Sequence, residues 1–117
     1  MAPVRLCSTS DIESGGKRIF DVGGKSIVVA RVGDEFFALR SACPHQGAPL
    51  GEGRLGGTMV PSDVGEYCFG RAGEILRCPW HGFEFDVRTG LSLHDPVKMR
   101  VKSYSVTVVG TDVVVDA

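Results

Sequence analysis

Two short segments rich in proline and glycine constrain the fold more than any other feature of the sequence. Each carries one cysteine and one histidine, as Cys43-x-His45 and Cys78-x-x-His81, and residues 46–77 separate the two pairs. A thiolate and an imidazole this close in sequence can converge on one site if their loop curls, which proline and glycine favour. A fold that brings these two distant loops together would give one site with four metal ligands.

Strand-like segments and tight glycine turns make up most of the remaining chain. Gly23-Gly24 separates residues 18–22 from residues 25–32, and Gly33-Asp34 separates the latter from residues 35–40. Two-residue connections of this composition predict β-hairpins. Only one helical turn is expected, near residues 10–13.

The C-terminal part repeats the strand pattern. Val97, Met99 and Val101 alternate with basic residues, as in a half-buried strand, and residues 104–108 continue the alternation. A turn at residues 110–112 then leads into the last valines. Short antiparallel strands with frequent turns predict an all-β fold, a small barrel or sandwich.

Length and charge restrict the functional classes. A chain of 117 residues fits one domain over residues 1–117, and its 13 basic and 14 acidic side chains give a net charge of −1. This balance argues against a nucleic-acid partner. No signal peptide or membrane-length apolar run is apparent, so a monomer in the cytoplasm is expected, without a membrane partner. Cysteines there more often ligate metals, do redox chemistry or are buried than form disulfides.

Three interpretations of the paired cysteines and histidines remain open from the residues alone. A Cys₂His₂ set suits tetrahedral zinc, although zinc sites usually have wider spacing within a pair. The same set suits a [2Fe–2S] cluster with both cysteines on one iron and both histidines on the other. The two pairs could also be unrelated and simply buried.

The motifs resemble a known family. Cys43-Pro44-His45 with Gly47, and residues 78–82 with Phe85-Asp86 and Thr89-Gly90, are similar to the two cluster-binding motifs of Rieske ferredoxins. The resemblance implies an antiparallel sandwich whose cluster-binding subdomain spans about residues 41–95. It also implies one [2Fe–2S] cluster per chain. The implied ligands are Cys43 and Cys78 on the inner iron and His45 and His81 on the outer iron.

The resemblance also suggests a low reduction potential. Ala48 and Trp80 occupy the places of the additional disulfide found in Rieske proteins of respiratory complexes. Phe83 and Phe85 occupy the places of a serine and a tyrosine that donate hydrogen bonds to cluster sulfurs in those proteins. We therefore expect a potential nearer about −150 mV than about +300 mV.

The spacer between the motifs is roughly twice that common in Rieske ferredoxins. The excess falls at about residues 58–74, where residues 66–69 and 74–77 flank Gly70-Arg71-Ala72-Gly73. We interpret it as a hairpin-like insertion with its turn at these four residues. It is either a docking element or a tolerated surface insertion.

The expected function is soluble electron transfer without catalysis. A flavin reductase and a terminal oxygenase are the implied partners, through transient docking at an exposed tip formed by Ala48, Pro49, Leu50, Trp80 and Phe83. The sequence contains no Rossmann fingerprint and no second iron site. The alternatives are a small Rieske-like subunit of a larger reductase, such as nitrite reductase, and a zinc-bound structural module.

Four further residues have weaker signals. Cys7 and Cys68 have no nearby cysteine or histidine and are expected to be buried as small apolar side chains. His94 is expected in a solvated loop or near the site. Trp80 either packs over the base of its loop or contributes to the core.

Overall fold

Two antiparallel sheets form the molecule. The computed structural model describes residues 3–44, 47–60, 68–80, 82–93 and 96–117. Among these residues, no helix is long and apolar enough to cross a membrane. The strands are β1 (Pro3–Ser8), β2 (Lys17–Val22), β3 (Lys25–Val32), β4 (Glu35–Arg40), β5 (Arg54–Val60), β6 (Cys68–Arg77), β7 (Glu84–Asp86), β8 (Ser103–Val109) and β9 (Asp112–Asp116), with 3₁₀ turns at Thr9–Asp11 and Leu50–Glu52.

Within the described residues, one sheet has six strands and the other has three. The large sheet has the order β1-β9-β8-β4-β3-β2, and the small sheet has the order β5-β6-β7. The all-β prediction is confirmed, as are the hairpins between β2 and β3 and between β3 and β4. Gly23 and Gly24 have φ of 57° and 81°, a left-handed conformation that is strained for other residues.

Strand β3 is buried on both faces and thereby divides the interior into two cores. We call the core that contains Cys43 and Cys78 the loop-side core, and the other the strand-side core. Val28 and Ala30 face the loop-side core, whereas Ile27 and Val29 face the strand-side core. Alternate residues of a strand point to opposite faces, so this run of apolar residues contributes to both. The loop-side core comprises Val28, Ala30, Leu39, Cys43, Ala48, Leu50, Leu76, Cys78, Phe85, Val87 and Val101. The strand-side core comprises Cys7, Ile12, Ile27, Val29, Phe36, Ala38, Tyr104, Val113 and Val115.

The strand predicted for residues 97–101 is wrong in its first part. Residues 96–98 form a turn, Val97 is 79% exposed, and β8 begins only at Ser103. Met99 and Val101 do pack against the loop-side core. Their backbone is held there by hydrogen bonds from the Ser92 N–H to the Met99 carbonyl and from the Val101 N–H to the Gly90 carbonyl. The turn at residues 96–98 accounts for the difference, because the alternation of apolar and basic residues already begins within this turn, before the chain pairs with another strand.

The turn predicted at Gly70-Arg71-Ala72-Gly73 is also wrong. These four residues lie inside β6, and Thr58–Val60 of β5 pair with Cys68–Gly70. The β5–β6 register shifts between Gly56, which pairs with Ile75, and Thr58, which pairs with Gly70, so residues 71–74 form an irregular part of the strand rather than a turn that closes a hairpin. Residues 61–67, which connect the two strands in sequence, lie outside the described residues, and the role of the insertion stays a prediction.

Candidate metal centre

The first cysteine loop is held by two backbone hydrogen bonds. The Cys43 N–H donates to the Ala48 carbonyl at 2.9 Å, and the Gly47 N–H donates to the Cys43 carbonyl at 2.7 Å. Gly47 has φ of 69°, which lets the chain turn back toward Cys43. The backbone around the first cysteine is therefore fixed by the loop itself.

The second loop repeats this arrangement. The Cys78 N–H donates to the Phe83 carbonyl at 2.8 Å, the Gly82 N–H donates to the Cys78 carbonyl at 3.0 Å, and Gly82 has φ of 72°. Both loops thus have a cysteine first, a proline second and a left-handed glycine fifth. Their histidines differ in sequence by one place, the third position in the first loop and the fourth in the second.

Close packing at Gly53 brings the two loops together. A Cβ added at Gly53 would lie 1.8 Å from the carbonyl oxygen of Arg77, the residue before Cys78. Arg54 and Arg77 are direct partners in the β5–β6 ladder. The 3₁₀ turn Leu50–Glu52, which follows the first loop, is therefore held against the chain entering the second loop.

A side-chain hydrogen bond secures the same turn from the other side. The Gly51 N–H donates to the buried Ser41 hydroxyl at 2.8 Å, two residues before Cys43. The Lys17 ammonium donates to the Gly51 carbonyl. Both ends of the first loop are thus tied to the 3₁₀ turn and to β2.

The two loop cysteines are deeply buried and lie in the same core. Cys43 is 2% exposed and Cys78 is 1% exposed, and both are free of disulfide bonds. A buried thiolate is costly unless its charge is compensated, for example by a metal ion. Two such side chains on turned loops fit the sulfur half of a Cys₂His₂ donor set.

The histidines cannot be placed relative to these thiols. His45, His81 and His94 lie outside the described residues. No group of three or more candidate metal ligands occurs among the residues that the structure does describe, of which only the two cysteines belong to the expected set. The four-ligand assignment therefore stays a prediction.

Not all of the residues predicted to form the exposed tip of the two loops are exposed. Trp80 is 57% exposed, which agrees with its predicted place in the tip and excludes the alternative that it contributes to the core. Ala48 and Leu50 are buried at 1% and 0% and cannot belong to an exposed tip. Pro49 and Phe83 are partly exposed. The small apolar residues of the first loop point into the core because the loop turns inward at Cys43.

The predicted burial of the two remaining cysteines is confirmed for Cys7 and stays a prediction for Cys68. Cys7 is buried, as predicted, in the strand-side core at 3% exposure. Burial raises the pKa of its thiol, and the Asp11 charge acts in the same direction. The side chain of Cys68 lies outside the described residues.

Sequence reasoning missed the residues that support the loops. Gly51 and Gly53 permit the close approach described above, and their Gly-x-Gly spacing directly after the first loop was the available signal. It also missed the ion pair between Arg77 and Glu84, whose side chains meet at 3.2 Å beside Cys78. Their opposition across two strands depends on register, which the sequence alone does not reveal.

Comparison with known proteins identifies the family. Residues 2–105 match the family model described as the Rieske [2Fe–2S] domain. The ferredoxin component of biphenyl 2,3-dioxygenase from Rhodococcus jostii is 31% identical over 116 residues, covering 99% of this chain and 94% of that protein.

Solved structures give the same result. The ferredoxin of carbazole 1,9a-dioxygenase from Nocardioides aromaticivorans superposes with a TM-score of 0.77 at 31% identity, covering 98% of this chain and 97% of that one. A chain from a complex of reduced oxygenase and oxidised ferredoxin of carbazole 1,9a-dioxygenase gives 0.75 at 32% identity, covering 97% of this chain and 91% of that one.

Proposed function

Because this chain belongs to the Rieske [2Fe–2S] domain family, we propose that it is the electron-carrying ferredoxin of a Rieske oxygenase system. It carries one electron from a flavin reductase to a terminal oxygenase and catalyses no substrate chemistry itself. The cofactor is one [2Fe–2S] cluster per chain, which accepts and releases single electrons.

The pair of matched cysteine loops carries this proposal. Cys43 and Cys78 form no disulfide, are buried in one core and are held in loops with the same pattern of backbone hydrogen bonds. In the proposed site they hold one iron, and His45 and His81 hold the other. This ligand set rests on the sequence motifs, and the burial and convergence of the two cysteine loops support it.

The surrounding residues exclude water from the sulfur side of the site. Phe85 and Leu76 are completely buried in the same core as both thiols. Phe85 also has no group that donates a hydrogen bond, so it cannot stabilise the reduced state as a tyrosine would. This supports the expected low reduction potential, nearer about −150 mV.

Docking of the partners is proposed at the loop end of the molecule. Trp80 lies between Cys78 and His81 in sequence and exposes more than half of its surface, so it is available to contact a partner. The relative found in a complex with its oxygenase supports a partner of this class. Electron-transfer contacts are usually small and transient. We place the reaction in the cytoplasm.

The proposal is tested by metal and sulfide analysis with EPR spectroscopy. Anaerobically purified protein should contain about two irons and two acid-labile sulfides per chain. After dithionite reduction it should show the low average g value of a histidine-ligated cluster. Zinc without sulfide would instead assign Cys43 and Cys78 to a structural metal site.

Histidine variants test the ligand set. His45→Ala and His81→Ala should each abolish the low-g signal, because each removes a proposed iron ligand. His94→Ala is the matched control and should retain the signal. Retention of an unchanged signal in His45→Ala or His81→Ala would exclude that histidine as a ligand.

The reductase-subunit alternative has less support. The biphenyl dioxygenase relative, which is matched over nearly its whole length, is a ferredoxin component. Stable co-purification of this chain with a large reductase chain would reverse the preference.

A further inference from the structure

The second cysteine loop begins and ends at two residues that face each other across the small sheet. Arg77, the last residue of β6, pairs in register with Glu84, the first residue of β7, and residues 78–83 form the loop between them. Leu76 and Phe85, the next partners along the two strands, are completely buried in the loop-side core. Because side chains alternate between faces, Arg77 and Glu84 lie on the opposite face. We call this pair of residues the neck of the loop.

The backbone pattern leaves the neck to be closed by side chains. The Cys78 N–H donates to the Phe83 carbonyl at 2.8 Å, so these two residues are a hydrogen-bonded pair. Hydrogen-bonded and non-hydrogen-bonded pairs alternate in an antiparallel ladder, which makes Arg77 and Glu84 a non-hydrogen-bonded pair with closely spaced side chains. In agreement, the Glu84 carbonyl accepts a hydrogen bond from the Leu93 N–H at 3.0 Å, on the side away from β6. At the neck itself, the link between the two strands is therefore made by side chains.

An ion pair makes that link. The Arg77 Nη2 donates to the Glu84 Oε2 at 3.2 Å. The Glu84 side chain is only 10% exposed, whereas the Arg77 side chain is 54% exposed. A carboxylate so far removed from water is costly without a partner. Loss of this contact should therefore matter more than loss of an ion pair between two fully exposed groups.

The methylene stem of Arg77 also lies beside the turn of the loop. A Cβ added at Gly82 would be 3.9 Å from the Arg77 Cδ. Gly82 is the left-handed glycine whose N–H donates to the Cys78 carbonyl at 3.0 Å. Arg77 thus reaches both parts of the loop that fix Cys78, because its stem lies next to Gly82 and its guanidinium holds Glu84 at the far end.

We propose that Arg77 and Glu84 are positioning residues that act on the [2Fe–2S] cluster through Cys78. Their ion pair keeps the neck of the second loop closed, which fixes the Cys78 backbone and limits the access of water to the cluster. Reduction adds an electron to the site, and water near the cluster stabilises the added negative charge, so a closed neck keeps the reduction potential low. The inference rests on the proposed function for Cys78 as an iron ligand, and it adds the residues that hold the loop of this ligand.

Hydrogen exchange of the holoprotein tests whether the ion pair holds the loop. Arg77→Met and Glu84→Gln should each accelerate amide exchange in residues 78–83 about two- to fivefold, measured by mass spectrometry, because each removes one partner of the pair. Arg5→Met is the matched control, since it removes an arginine that lies 2.8 Å from Asp112 in the large sheet. It should leave exchange in residues 78–83 unchanged. Unchanged exchange in both neck variants would overturn the proposal.

The reduction potential separates positioning from a direct effect of charge. As positioning residues, Arg77→Met and Glu84→Gln should both raise the potential, because both variants admit water to the cluster. A direct electrostatic effect would give shifts of opposite sign, since loss of a positive charge lowers the potential and loss of a negative charge raises it. Potentiometric titration followed by EPR at about 1 M salt, where the Debye length is about 3 Å, minimises the direct effect. Shifts of opposite sign, or no shift in either variant, would exclude the positioning role.

A double variant gives an independent check. Because both substitutions remove the same contact, Arg77→Met/Glu84→Gln should raise the potential no further than either single variant. Opposite electrostatic shifts would instead cancel and restore the potential of the unmodified protein, which would contradict the proposal. Failure of the proposed function is distinguishable from this result. An unmodified protein that contains zinc without sulfide contradicts the proposed function, whereas a protein that holds the cluster while the neck variants keep its potential contradicts only the positioning role.

Discussion

Both cores bury cysteine, but they do so in different structural contexts. Cys7 belongs to β1 and packs with Ile12 and Val113 in the strand-side core. Cys43 and Cys78 belong to loops closed by glycine turns in the loop-side core. Their exposed fractions are nearly the same, between 1% and 3%. Burial alone therefore does not distinguish the proposed ligands Cys43 and Cys78 from Cys7; the turned backbone of their loops and the presence of both in one core do.

The largest effect should come from removing a loop cysteine. Cys78→Ser should reduce iron content from about two per chain to almost none, because a proposed ligand is lost. Cys7→Ala should retain the iron and lose about 1–2 kcal/mol of stability through a small cavity. Iron assay and urea unfolding of both variants measure these outcomes. Loss of iron in Cys7→Ala alone would contradict the distinction between the two cores.

A large effect is also expected from a glycine that holds the loops together. The Gly53→Ala methyl would overlap the Arg77 carbonyl oxygen, and we expect a loss of about 3 kcal/mol or more together with weaker cluster retention. Gly24→Ala, in a turn of the large sheet, has open space and should cost only about 1 kcal/mol for its left-handed backbone. Urea unfolding compares them, and equal losses would mean that the close approach is unimportant.

A moderate effect on the free energy of unfolding is expected from Cys7, in the strand-side core, at alkaline pH. Burial raises the pKa of the Cys7 thiol in the folded state, so the folded protein holds this proton more tightly than the unfolded chain. The resulting stability is complete below the unfolded pKa of about 8.5 and is lost as pH rises through the folded pKa. Cys7→Ala should therefore unfold with less dependence on pH above about 8.5 than the unmodified protein. Identical pH profiles would show that the thiol does not ionise on unfolding.

The smallest effect is expected from the ion pairs of Arg88, which connect the two sheets. Arg88 contacts Glu74 of β6 at 2.9 Å and Glu35 of β4 at 3.1 Å, and it lies over the Phe37 ring. Arg88→Gln should lower the melting temperature slightly at low salt, and the difference should shrink at about 1 M salt because Arg88 and Glu35 are exposed and Glu74 is partly exposed. A loss that does not depend on salt would indicate that Arg88 contributes through packing instead.

Much of the fold could be predicted because local chemistry specifies it. Gly23-Gly24 and Gly33-Asp34 mark hairpins whatever surrounds them, and alternating residues mark the strands they join. The same local logic failed at Gly70-Arg71-Ala72-Gly73 and at Val97. A glycine-rich run can also lie within an irregular strand, and the alternation of apolar and basic residues at Val97 continues through a turn.

The sequence by itself determined the kind of chemistry available to this protein. Cys43-x-His45 and Cys78-x-x-His81 predict the donor atoms, and the prolines and glycines between them predict that these donors belong to loops. These are local properties, set by residue type and spacing within a few positions.

Only the tertiary structure decided how the two loops meet and which side chains surround them. Gly53 against Arg77, the opposition of Arg77 and Glu84, and the exposure of Trp80 beside a buried Ala48 all depend on strand register and on packing between distant segments. A shift of one residue in register would reverse the faces of the strands. Such long-range geometry results from the sum of many weak contacts, and no local pattern encodes it.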